Sequence, residues 1–240
     1  MSGRLLIVNA DDFGRSESIN GGIVQAHERG IVTSASIMVR WQAARDAAAY
    51  AREHGKLGLG LHLDLAEWEV RNGEWRLLYE RASTDNPDAV EAELRSQLEA
   101  FRTLAGCDPT HLDSHQHLHH EQPVAAIARR MARELDVPLR GCSGVRYCGD
   151  FYGQTAKGEA YPAGITLHRL LRILRNLPAG ASELGCHPGF AATGQAYGPE
   201  REQEVRVLCD PLVREVLDEE NIQLVSYEDP SIRRLRPSGR

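Results

Sequence analysis

An α/β fold on a parallel sheet of about seven strands is predicted from three observations. Short apolar runs alternate with longer amphipathic stretches along the whole 240-residue chain. Most runs precede a stretch long enough to be a helix, the connection that parallel strands require. Third, the residues capable of chemistry fall at the C-terminal ends of the runs, the rim where a parallel sheet gathers its site. Such a sheet is either closed into a barrel or doubly wound. No repeat or composition break divides the chain, so one domain over residues 1–230 and a basic tail at 231–240 are expected.

Arg4 to Asn9 reads as a buried strand running into Ala10-Asp11-Asp12-Phe13-Gly14. Ser16 or Ser18 can cap a helix with Ile19, Ile23 and Ala26 on one face, stopped by Gly30. Ser34 to Val39 is a second strand, and Ala43 to His54 an alanine-rich helix ended by Gly55. Gly58 to Leu63 is a third strand. The rhythm breaks over 64–84, where Asn72-Gly73 between Val70 and Trp75 suggests a small hairpin. Asn86-Pro87 opens a helix whose stripe is Val90, Leu94, Leu98 and Phe101.

Thr110 to Ser114 is a short strand, and Pro123 starts a helix with Val124, Ile127, Met131 and Leu135 inward. Val137 to Arg140 is read as a further strand. Residues 141–164 are rich in Gly and aromatics without periodicity, as functional loops are. Helices are expected at Thr166–Asn176 and Asp210–Glu220, and strands at Ser182–His187 and Ile222–Ser226.

Composition excludes several function classes. With 42% apolar and 26% charged residues the chain is neither disordered nor membrane-embedded. A net charge of −6 argues against a nucleic-acid binder, and no basic face is needed to explain the sequence. The one basic cluster, Arg233, Arg234, Arg236 and Arg240, reads as a solvated tail. Leu5-Leu6-Ile7-Val8 is too short to span a membrane, and Asp11 and Asp12 follow where a secretory signal would stay apolar. A cytoplasmic protein with no membrane partner is expected. Five cysteines at irregular spacing fit reduced thiols better than a disulfide framework.

The candidate chemistry lies at the strand ends. Two adjacent carboxylates after an apolar strand repel one another and resist burial, which a divalent cation would relieve. The plainer alternative is Asp12 capping the next helix with Asp11 solvated. His62, inside Leu59-Gly60-Leu61-His62-Leu63, would alone read as a satisfied core residue. The cluster His111-Leu112-Asp113-Ser114-His115-Gln116-His117-Leu118-His119-His120 alters that reading, since half of the ten histidines fall within it. One carboxylate and two imidazoles make an open three-ligand site suited to catalysis. A divalent ion in it acidifies water and polarises a carbonyl. No G-x-S-x-G elbow, phosphate loop or dinucleotide fingerprint competes. Cys186 and His187 are adjacent strand residues that point to opposite faces, which argues against a Cys–His dyad.

Asn9-Ala10-Asp11-Asp12-Phe13-Gly14, Gly60-Leu61-His62, Thr110-His111-Leu112-Asp113-Ser114-His115 with His117, and Cys186-His187-Pro188-Gly189-Phe190 occur in this order. The ordered set resembles the YdjC-like carbohydrate deacetylases, the family that includes chitooligosaccharide deacetylases. The resemblance implies a distorted (β/α) barrel that removes N-acetyl groups from amino sugars with one divalent ion, magnesium or zinc. It implies Asp12, His62 and His115 as metal ligands, Asp11 as general base and His187 as general acid. It extends more loosely to Arg140, Tyr152 and His117 at the substrate, an N-acetylated carbohydrate, and it is compatible with a homodimer. The segment 64–83 is shorter than in longer relatives, so the chitobiose specificity is not carried over. Trp68 and Trp75 are read either as sugar platforms or as hairpin packing. A metal-dependent phosphoester hydrolase and a non-catalytic sugar-binding protein are the competing readings.

Overall fold

The computed structural model describes residues 3–71, 73–191, 197–233 and 235. Strands β1 (Arg4–Phe13), β2 (Ser34–Ile37) and β3 (Gly58–Leu63) alternate with helices α1 (Glu17–Glu28) and α2 (Ala44–Glu53). An antiparallel hairpin, β4 (Ala66–Arg71) and β5 (Glu74–Glu80), then interrupts the alternation. It resumes with α3 (Pro87–Ala105), β6 (Leu112–Ser114), a 3-10 segment (His115–His120) and α4 (Val124–Leu135). β7 (Arg146–Cys148), α5 (Leu167–Arg175), β8 (Gly180–Cys186), α6 (Gly198–Leu208), α7 (Pro211–Glu219), β9 (Ile222–Leu224) and α8 (Pro230–Arg233) follow.

Seven strands make one parallel sheet in the order β6-β3-β2-β1-β8-β7, with β9 paired to β1. β8 covers one edge of β1 from Arg4 to Ala10. The other edge is shared, β9 pairing with Arg4 to Leu6 and β2 with Asn9 onwards. The sheet curls into a distorted, incompletely closed barrel. Beyond β6 it gains a single parallel bridge, Leu112 to Leu139, in place of the strand expected at Val137–Arg140. Where that end nears β7, the Arg140 guanidinium lies 4.9 Å from the Tyr147 ring, so side chains complete the curl.

The helices start where local chemistry favours it. The Ser16 hydroxyl accepts from the Ile19 N–H, Asn86 from Ala89 with Pro87 in the first turn, Thr166 from Arg169 and Asp210 from Leu212. On α3 the stripe Val90, Leu94, Leu98 and Phe101 is buried against the sheet, about 1.5–3 kcal/mol per side chain. α4 buries Val124, Ile127 and Met131, with Leu135 half-buried at its end. No helix among the described residues is long and apolar enough to cross a membrane. Arg233 ends α8; Arg234, Arg236 and Arg240 of the expected basic tail, and Asn72 of the hairpin turn, lie outside the described residues.

Candidate active site

The site is built at the C-terminal rim of the sheet. β1 runs four residues beyond the expected Asn9, and its pairing with β2 shifts register between Ala10 and Phe13. Asp12 has φ 67°, which breaks the strand alternation and lets neighbouring Asp11 and Asp12 line the same cavity. The turn that follows is fixed from α1. The Gly14 N–H donates to Asn20 Oδ1 at 2.7 Å, and Asn20 Nδ2 donates to the Ala43 carbonyl at 3.0 Å. At Gly14 (φ 87°) a Cβ would sit 2.9 Å from Ala44 Cα, so backbone conformation and space both require glycine.

Asp12, His62 and His115 come together as one group whose ligand atoms lie within 4.8 Å of one another. His62 Nε2 is 3.5 Å and His115 Nδ1 3.3 Å from Asp12 Oδ1, a buried oxygen with no hydrogen-bond partner. The opposite side of His62 is tied down, with Nδ1 donating to Asp113 Oδ1 at 2.8 Å. That bond fixes the tautomer and leaves the Nε2 lone pair facing Asp12. Asp12 Oδ2 accepts from Arg201. Burial opposes ionisation of Asp12, but Arg201 and His115 outweigh it and hold the carboxyl well below its usual range. Burial likewise disfavours the His115 imidazolium; the facing carboxylates of Asp12 and Glu67 prevail and raise its pKa to about 9. The donor set therefore fits a divalent ion, with the His115 proton occupying positive charge that such an ion would supply.

Asp11 is held from below. Arg140, 1% exposed, donates from Nη1 to Asp11 Oδ2 and from Nη2 to Asp11 Oδ1, both at 2.7 Å. It also reaches Asp113 Oδ2 at 2.8 Å and Glu183 Oε1 at 2.7 Å. Burial raises the Asp11 pKa, yet Arg140 more than offsets it and the carboxylate is kept ionised. Three carboxylates around one guanidinium leave excess negative charge, and burial accordingly moves Glu183 upward. Asp11, His62 and Asp113 form a second close group, but Arg140 already donates to both of its carboxylates.

His187 leaves the end of β8 and sets Nε2 3.7 Å from Asp11 Oδ2. Cys186, one residue earlier, points away and donates from Sγ to the Asn9 carbonyl at 3.3 Å. Burial lowers the His187 pKa to about 4, so the resting imidazole is neutral near pH 7. α6 supplies supports absent from the sequence reading. Arg201 bridges Asp12 and the His187 carbonyl, while Glu204 accepts from the His187 N–H at 2.5 Å and from Tyr197 Oη at 2.7 Å. Burial pushes the Glu204 carboxyl up to about 7. The start of α6, Gly198-Pro199, carried a helix signal. Its inner face, however, includes the charged Arg201 and Glu204, so no apolar stripe marks it.

These groups line a cavity of about 790 Å³. Tyr152 and His117 are on its wall, with the Tyr152 ring 5.0 Å from His187 and His117 Nε2 3.4 Å from Tyr147 Oη. Arg140, expected beside them, is instead beneath the floor, its donors consumed by carboxylates. The hairpin forms the far wall with Glu67, Trp68, Val70 and Trp75. Arg15 pairs with Glu67, and the Gln116 amide completes two hydrogen bonds to the Trp68 backbone at 2.6 and 3.0 Å. Trp68 and Trp75 are 42% and 54% exposed, so they form the rim rather than a packed core.

The chain is similar to known proteins over nearly its whole length. The chain is 32% identical to a carbohydrate deacetylase of Geobacillus stearothermophilus, over 94% of this chain and 98% of that protein. It is 30% identical to a chitooligosaccharide deacetylase of Serratia marcescens, over 94% and 99% of the two chains. A crystal structure from Enterococcus faecalis V583, described as a candidate cellobiose-phosphate cleavage protein, superposes with TM-score 0.78 at 25% identity, covering 95% of this chain and 98% of that one. The model of the YdjC-like protein family matches residues 5–219, and the chain belongs to that family.

Proposed function

We propose that the protein is a divalent-metal-dependent carbohydrate deacetylase that hydrolyses the N-acetyl group of an amino sugar. The observation that carries this reading is the unpartnered, buried Asp12 Oδ1 faced by His62 and His115, with a second ionised carboxylate next to it in sequence. The names of its relatives support the same reaction class. Asp12, His62 and His115 would hold the ion, zinc or magnesium, which when bound acidifies water and polarises the acetyl carbonyl.

The chain's own residues supply the rest. Asp11 Oδ2 takes the proton of the attacking water, and Arg140 keeps that oxygen ionised and aimed. His187 Nε2, 3.7 Å from the same oxygen, delivers a proton to the departing nitrogen. Since His187 rests neutral, the proton it donates is one gained during turnover, and Asp11 is the adjacent source. Water and amide are consumed, and acetate and a free amine are formed. Glu204 and Arg201 fix the backbone of His187, and Trp68, Trp75, Tyr152 and His117 offer aromatic surface to sugar rings.

The test is acetate release from a panel of N-acetylated mono- and oligosaccharides by the wild-type protein and Asp12→Asn. Release by the wild type with loss in Asp12→Asn is expected. Absence of release from every sugar, at full metal loading, would sink the proposal.

A further inference from the structure

Three histidines in the 3-10 segment, His117, His119 and His120, take no part in the Asp12 group or in the proton transfers. Gln116 and His117 have φ 50° and 56°, and this left-handed pair turns the chain so that His117, His119 and His120 share one side. Each can offer a ring nitrogen within 4.8 Å of the other two, with no residue shared with the Asp12 group. The ring centroids of His117 and His119 are 6.0 Å apart, and those of His119 and His120 4.1 Å.

Two of these rings carry nitrogens that nothing among the described residues satisfies. His119 is fully buried, and its Nδ1 lies 2.7 Å from Ser114 Oγ, which also accepts from the His119 backbone N–H. With the Nδ1 proton given to Ser114, the His119 Nε2 keeps a free lone pair, and that buried atom has no partner. His117 Nδ1 is likewise buried and unpartnered, although Nε2 on the far side of its ring reaches Tyr147. A buried ring nitrogen without a partner costs about 1–3 kcal/mol, and rings that can each bring a nitrogen within 4.8 Å of the others offer it a common ligand. His120 is exposed and closes the group from the solvent side, which gives an ion a way in. Gly141 permits the approach, since a Cβ there would stand 3.0 Å from the His120 ring.

We propose that His117, His119 and His120 form a second metal site, distinct from the one at Asp12, that binds a borderline transition ion such as zinc, copper or nickel. Three imidazoles without an oxygen donor suit those ions and reject magnesium and calcium. The Ser114 contact to His119 is the outer hydrogen bond that orients such a ligand. Because His117 also lines the substrate cavity, an ion here fixes the ring that faces the sugar.

The experiment is zinc stoichiometry and affinity on the full, untagged chain, by equilibrium dialysis with elemental analysis and by competition with a chromophoric zinc chelator. Wild type should hold two equivalents. His120→Ala, an exposed substitution that spares the fold, should weaken one site at least about tenfold and leave the other unchanged. His62→Gln should do the reverse, and magnesium should compete at the His62 site alone. One equivalent in wild type that His120→Ala leaves in place, or two undiminished equivalents in His120→Ala, would overturn the proposal. Loss in His120→Ala with no change in His62→Gln would uphold it while removing the metal from the deacetylase reading.

Discussion

Arg140→Lys keeps the positive charge but removes the planar fork that holds three carboxylates. In the wild type the guanidinium donates twice to Asp11 at 2.7 Å, once to Asp113 at 2.8 Å, and from Nε and Nη2 to Glu183 at 2.9 and 2.7 Å. A lysine ammonium is a point charge with three donors and cannot grip Asp11 with two parallel bonds. At least two charge-assisted bonds are lost, each about 1.5–3 kcal/mol, and the site is too buried for water to replace them. A destabilisation of about 3–5 kcal/mol is therefore expected, as for a broken buried pair, with a drop in Tm of about 6–20 °C. Turnover should change in a way that loss of stability alone does not explain. Arg140 counters the upward push of burial on Asp11, so in the lysine variant the Asp11 pKa rises and the acid limb of kcat/KM moves to higher pH. Denaturant unfolding and a pH–rate profile at a temperature where both proteins are folded measure the two effects. A loss under about 1 kcal/mol together with an unmoved acid limb would refute the reasoning.

Asp113→Asn should weaken metal binding about 10–100-fold by loosening His62, read by isothermal titration; unchanged affinity would separate Asp113 from the site. Asp11→Asn should retain the metal and lose about 10²–10⁴ in kcat, and normal turnover would take Asp11 out of the base role. His187→Ala should slow amide hydrolysis far more than hydrolysis of an activated ester, whose leaving group needs no proton; equal losses would contradict the acid assignment. His115, raised to about 9 in the metal-free protein, must shed its proton to become a ligand. Metal binding at pH 7.5 should therefore release about one proton, visible as a dependence of the binding enthalpy on buffer ionisation. The same shift sets a stability slope. A raised histidine stabilises the fold fully below its unfolded pKa near 6.5, and that contribution fades as pH climbs to about 9. His111, lowered to about 4, acts oppositely, its cost appearing as pH falls from 6.5 towards 4. Unfolding midpoints of the metal-free protein across this range should fall on both sides of neutrality.

Much of the fold was legible because strands and helices in this chain announce themselves by apolar period. The stripe on α3 and the caps at Asn86, Thr166 and Asp210 needed only local chemistry. The convergence of Asp11, Asp12, His62, His115 and His187 on one cavity was likewise implied by strand ends, and the structure brings all five there. What escaped notice was polar and long-range. α6 buries Arg201 and Glu204 because they serve the site, which erases the amphipathic pattern by which a helix is found. β7 has three residues and is recognisable only by its pairing with β8. Arg140 gave no sign of burial, since its three carboxylate partners lie 27 to 129 positions away in the chain and no local pattern links them. His111 reads from the sequence as a structural or supporting residue, and it is fully buried. It stacks on Tyr227 at 3.9 Å, and Gly60 is needed because a Cβ there would come within 2.3 Å of the His111 ring.

The most direct measurement is acetate release during a metal titration of chelator-stripped protein, with wild type, His62→Gln and His120→Ala run side by side on an N-acetylated oligosaccharide. Activity should return with the first equivalent in wild type and His120→Ala and stay absent in His62→Gln. Turnover by the stripped protein at the reloaded rate, or full recovery in His62→Gln, would contradict a reaction centred on Asp12, His62 and His115.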